Sequence, residues 1–336
     1  MTNAILETFP LSSGWLTLDP FLMCAHHLDA YPAANGQLGP AAALDDRPIG
    51  GDFSGTGGWN MYHGSTVPGF PQHPHRGFET ITYLRSGWCD HADSLGGEAR
   101  FGPGDAQWLT AGSGVVHSEM FPLFDTNGPN PLHLFQIWLN LPAANKMAEP
   151  NFSLLWSGDT PTVNPANGVT VTTVAGQLGD ATPPSPPPAS WATSPDNHVA
   201  VWHLTIDPGS AWTLPTAPTG VNRTLYFYAG TTGSLNGQVI AEHTGARVDP
   251  TQANTIAANE TRSEVLLLQA RPIGEPVAQN GPFVMNEQAE IDEAMTEFRT
   301  TRFGGWPWAQ GDPSHGPEAK RFAHFPDGST QTPPGK

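Results

Sequence analysis

Charge is scarce in this chain, and basic charge is scarcest. Asp, Glu, Lys and Arg make up 13% of its 336 residues, and 14 Lys and Arg stand against 31 Asp and Glu, a formal balance of −17 with His neutral. Such a surface repels nucleic-acid phosphates and anionic lipid, so neither direct nucleic-acid binding nor membrane binding is expected. Cysteine is nearly absent. Cys24 and Cys89 cannot make a disulfide framework, and they suit a reducing compartment. No run of about 18 apolar residues exists, which excludes a membrane-spanning helix as an expectation. The opening Met1-Thr2-Asn3-Ala4-Ile5-Leu6-Glu7 lacks the basic stretch and apolar core of a secretory signal. These features together read as a cytoplasmic protein. Long amphipathic patterns are also few, whereas Gly and Pro number 37 and 35. The expectation is an all-β chain of short strands and many turns, long enough for two domains of about 100–200 residues each.

Against this background, metal-capable side chains recur at a telling spacing. His73 and His75 stand with one residue between them, and about forty residues later so do His117 and Glu119. Alternate residues of an extended strand share a face, so each pair projects together. A lone His-x-His is often a coincidence of a surface loop. Here, however, both pairs lie beside strand-like runs, Glu79-Thr80-Ile81-Thr82-Tyr83-Leu84 and Ala106-Gln107-Trp108-Leu109-Thr110. Pro74 cannot donate to a ladder, which puts the first pair at a strand start or an edge. If the two strands face one another across a barrel, three imidazoles and one carboxylate converge on a mononuclear metal site.

The same residues carry a resemblance. Phe70-Pro71-Gln72-His73-Pro74-His75-Arg76-Gly77-Phe78-Glu79-Thr80 and Gln107-Trp108-Leu109-Thr110-Ala111-Gly112-Ser113-Gly114-Val115-Val116-His117-Ser118-Glu119-Met120 resemble the two signature motifs of the pirin family, within the cupin superfamily. The likeness extends to Asp19-Pro20-Phe21-Leu22, Phe135-Gln136-Ile137-Trp138-Leu139-Asn140-Leu141, Gly281-Pro282-Phe283-Val284-Met285-Asn286 and Arg302-Phe303-Gly304. It implies a bicupin: two jelly-roll-like β-barrels with a C-terminal helix. It also implies His73, His75, His117 and Glu119 as the ligand set. Glu79 occupies the place where many metal cupins put a ligand, and is assigned here to a supporting hydrogen bond. Arg76 could pair with Glu79 across the turn.

Taken in order, residues 1–147 read as a metal-binding barrel interrupted by a loop insertion at 24–66, longer than the connection in compact pirins. Long ordered loops are frequently lids or binding loops. This one carries His26, His27 and His63. His133 is read as a rim histidine. Residues 148–285 read as a second barrel without ligands, in which His203 and His243 stand alone. Residues 286–336 read as a helix, capped by Asn286 and burying Ile291, Ala294, Met295 and Phe298, followed by a tail running over the surface.

Three imidazoles and a carboxylate suit one divalent transition metal: iron first, with manganese, nickel, copper, cobalt or zinc as alternatives. Some pirins resemble quercetin 2,3-dioxygenases. That likeness implies an oxidoreductase taking O2 and a flavonol-like small molecule, with Glu119 as proton acceptor. The alternative is a non-catalytic, metal- and redox-responsive module that binds a regulatory protein partner.

Overall fold

The computed structural model describes residues 4–51 and 53–335. β-branched and aromatic runs form strands where their alternation places them: Phe78–Ser86 around the Glu79-to-Leu84 run, Ala106–Thr110, Ala200–Ile206 and Ser263–Ala270. The architecture is all-β, two jelly-roll-like barrels with, among the described residues, a single α-helix near the C-terminus. That helix is too short and polar to cross a membrane.

The strands gather into two compact units that do not follow the linear order of the chain. One unit comprises His26–Ile137, Leu141–Gly158 and the chain from Glu275 onward. In the first of its sheets Asn151–Leu155, Ala106–Thr110 and Phe78–Ser86 lie side by side, continued by the parts of Asn130–Asn140 and Phe21–Tyr31 that fall within residues 130–137 and 26–31. The second runs Thr330–Gln331, Phe322–His324, Glu98–Phe101, Cys89–Asp93, Val115–Met120 and Gly69–His75. One apolar cluster draws Leu84, Leu109 and Leu134 from the first sheet and Cys89, Phe101 and Val115 from the second, so the two close face to face.

The other unit holds residues up to Ala25, Trp138–Asn140 and Asp159–Gly274. A seven-stranded sheet contributes Val171, Leu204, Leu225 and Leu267 to its core, and a four-stranded sheet contributes Leu214, Leu235 and Ile256. The first strand of the chain, Ile5–Pro10, pairs with Thr244–Val248 at the edge of the larger sheet. The N-terminal strand gives Thr244–Val248 a second hydrogen-bonded neighbour and itself becomes the edge of the sheet. The units interleave along the chain, with Glu275 onward grouped with the His26–Ile137 segment.

The helix spans Gln288–Thr301, with Glu287 rather than Asn286 as its N-cap in a reciprocal capping box with Glu290. Ile291 and Ala294 are buried, and Met295 and Phe298 pack against the same cluster. The tail beyond it does more than run over the surface. Phe322–His324 adds a strand to Glu98–Phe101, and Trp308 Nε1 donates to the Asp93 carbonyl at 2.8 Å. Arg321 pairs with the buried Asp105 at 2.9 Å.

Candidate metal centre

The strand Gly69–His75 contains Pro71 and Pro74, which have no N–H to give a second neighbour, and it lies at the edge of its sheet. It pairs antiparallel with Val115–Met120 in a register that sets His73 opposite His117 and His75 opposite Val115. Directly opposed residues share a face, so the spacing argument holds: His73, His75 and His117 point the same way. The register shifts between Phe70 and His73, where three residues on one strand span two on the other. This bulge turns Phe70 onto the face of the ligands, opposite Glu119, instead of the face that simple alternation assigns it.

Among the described residues, the metal-capable side chains that converge are His73, His75 and His117, with one ligand atom from each within 4.8 Å of the others. Their ring centroids are 4.4–4.9 Å apart. His73 Nδ1 donates to the Pro71 carbonyl at 2.8 Å, which leaves Nε2 to face the site. Neither ring nitrogen of His117 has a hydrogen-bond partner, although both are buried. A buried nitrogen without a partner costs stability, and a bound cation would remove that cost. Burial pushes His73 down to about 4, with His63 and His91 adding to the effect. Burial and the neighbouring imidazoles hold His75 and His117 well below the ordinary histidine value. All three are neutral with lone pairs available, the state a first-row divalent metal needs.

Glu119 lies outside the three-histidine group. It is 3% exposed, and its two oxygens accept from Thr82 Oγ1 at 2.6 Å and Gln136 Nε2 at 3.0 Å, reaching across from the opposite sheet. Burial raises its pKa, while Thr82, His91 and Gln136 oppose the rise. A buried carboxylate whose proton affinity is raised is a competent proton acceptor.

Other expectations resolve residue by residue. Glu79 is buried and accepts from Thr110 Oγ1 at 2.7 Å, a structural hydrogen bond. Arg76 pairs with Glu297 on the helix at 2.8 Å, not with Glu79, and donates from Nε to the Ser113 carbonyl at 2.6 Å. The helix packs over the turn and offers a carboxylate that no local pattern reveals. His133 meets His26, nitrogen to nitrogen, at 3.0 Å. His27 is buried against the Tyr62 hydroxyl at 2.9 Å. His63 is exposed beside Phe70, with ring centroids 5.8 Å apart. In the other unit His203 bonds the Tyr228 hydroxyl at 2.6 Å, and His243 is exposed.

Sequence reasoning missed His91. Fully buried on Cys89–Asp93, it registers opposite Glu119, its ring 5.7 Å from that of His117. Its Nε2 meets Asp93 Oδ2 at 3.0 Å, and Gln107 Nε2 lies 2.8 Å from its Nδ1. The alternation His91-Ala92-Asp93 between glycine turns was the available signal.

Residues 52–139 match the pirin family model, and residues 201–304 match that of the pirin C-terminal cupin domain. The chain belongs to the pirin family. Pirin-1 of Arabidopsis thaliana is 37% identical over 245 residues, 71% of this chain and 80% of that protein. Pirin of Homo sapiens is 33% identical over 252 residues, 73% of this chain and 81% of that one. Among solved structures, a quercetin 2,3-dioxygenase from Acinetobacter baumannii superposes with a TM-score of 0.71 at 25% identity, covering 90% of this chain and 98% of that one. The first match contains all three converging histidines, and the second runs from the Asp159–Gly274 segment through the C-terminal helix.

Proposed function

We propose that this pirin is a metal-dependent dioxygenase of the quercetin 2,3-dioxygenase type, using O2 to open the ring of a flavonol or similar enol with release of carbon monoxide. The observation that carries the reading is three converging imidazoles, two of them buried and one half-exposed, on paired strands whose shared face also bears a buried carboxylate. The activity named for the Acinetobacter baumannii protein supports the choice of reaction. His73, His75 and His117 would hold the metal, iron before the alternatives, with Glu119 as fourth donor. When bound, such an ion supplies Lewis acidity toward an enol hydroxyl and a redox-active centre for O2. Glu119 accepts the enol proton, and Thr82 and Gln136 fix the carboxylate that receives it. The buried walls of the barrel keep water from competing for that proton. The cytoplasm is the compartment we assign.

The test is to load the full chain anaerobically with iron, add quercetin, admit air, and follow flavonol absorbance and carbon monoxide. Turnover is expected, absent in His75→Ala and lowered about 100-fold or more in Glu119→Gln. Lack of turnover with iron, manganese, nickel, copper and cobalt alike would refute the reading. An iron-dependent protein partner recovered alongside would then point to the binding module.

A further inference from the structure

A continuous series of aromatic rings leads from the surface to His73. Phe53, 37% exposed, lies stacked on His27, with centroids 5.0 Å and planes 28° apart. His27 meets Tyr62 edge-on at 5.0 Å, Tyr62 meets Phe70 at 4.9 Å, and Phe70 meets His73 edge-on at 6.3 Å. Three members of the series come from the 24–66 segment, and the bulge delivers Phe70 to the ligand face. His73 is the half-exposed member of the histidine group, while His75 and His117 are buried, and the Phe70 ring borders that exposed member.

The series is preset. Phe53 and Tyr62 adopt left-handed backbone angles, φ 58° and 54°, which bulky residues keep only where their surroundings over-determine them. Here the surroundings do so. Tyr62 donates its hydroxyl to the buried Asp29 at 2.6 Å and lies 2.9 Å from His27 Nδ1. Asn60 gives the same carboxylate two further hydrogen bonds, at 2.7 and 2.8 Å. Rings fixed before binding lose little freedom when a flat molecule stacks on them.

We infer that Phe70 and Phe53 are specificity-determining residues, forming a fixed wall that selects a planar aromatic chelator over a chelator without rings. The inference rests on the metal reading of the preceding section and adds to it the basis of substrate choice. The full chain, loaded with redox-silent zinc, is titrated calorimetrically with quercetin and with acetohydroxamate, an oxygen chelator with no ring. In Phe70→Leu, quercetin affinity should fall about 10-fold while acetohydroxamate affinity stays within about 2-fold of the original. Phe53→Leu, at a partly exposed position, should shift quercetin in the same direction by a smaller factor, and it carries the test if Phe70→Leu loses its zinc. Unchanged quercetin affinity in the variant that keeps its zinc overturns the inference. So does an equal loss for both chelators. Failure of the unsubstituted chain to take up zinc at all would show that the metal reading itself has failed, and the wall's role with it.

Discussion

Replacement of Lys146 by methionine probes how the turn after Gly69–His75 is held. Lys146 is 1% exposed, and its Nζ donates to the carbonyls of Gly77 and Val284 at 2.9 and 3.1 Å. Burial lowers its ammonium from the ordinary 10.5 to about 8, against the opposing pull of Glu275 and Glu290. Between those two values the unfolded chain keeps a proton that the folded chain has released. The unfolded state binds more protons there, so folding stability rises with pH through the window from 8 to 10.5. Over the whole window the rise amounts to roughly 3 kcal/mol. The neutral amine keeps two N–H groups and can still donate to both carbonyls. Methionine has no proton to release, and Lys146→Met should lack the rise.

At neutral pH the substitution has opposing effects, because it removes a desolvated charge but strands two buried carbonyls. The pH dependence of the difference is therefore the discriminating quantity. Urea unfolding of both proteins, followed by circular dichroism from about pH 7.5 to 10, should show the native chain gaining about 2–3 kcal/mol over the variant. A difference that stays flat, or narrows as pH rises, would refute the placement of a desolvated ammonium at this position.

Two further outcomes follow from the site and its turn. His117→Ala should lose most of its bound metal by elemental analysis, because both nitrogens of that buried ring are otherwise without partners; full retention would mean the second ligand pair is misassigned. Gly77→Ala should cost at least about 2 kcal/mol in denaturant unfolding, since Gly77 has φ +85° and an added Cβ would lie 1.9 Å from the Val284 carbonyl oxygen. Near-native stability there would show that the turn relaxes easily.

Much of the site was legible because a strand has a period of two. That period alone put His73 with His75 and His117 with Glu119 as pairs, and Pro74 placed the first pair at a strand start or an edge, of which the structure shows the edge. The same logic fails wherever a strand gains a residue. The bulge after Phe70 reverses the face of everything before it, so counting in twos assigns Phe70 to the wrong side. His91 was overlooked for a related reason, since its partner Asp93 reads as an ordinary turn-flanking acid until the Cys89–Asp93 strand is paired with Val115–Met120. Arg76 was paired by proximity in sequence, whereas its carboxylate arrives from Glu297, more than two hundred residues away.

The resemblance to pirins implied the two barrels; composition and spacing by themselves determined the all-β class and the pairing of the metal-capable side chains. The last two depend on local composition and periodicity, which a chain carries before it folds. Only the tertiary structure decided which of those side chains converge, that Glu119 is turned toward Thr82 and Gln136, and that Ile5–Pro10 completes the sheet of the Asp159–Gly274 unit. Those outcomes depend on register, bulges and long-range pairing, where contacts between distant residues outweigh any local preference.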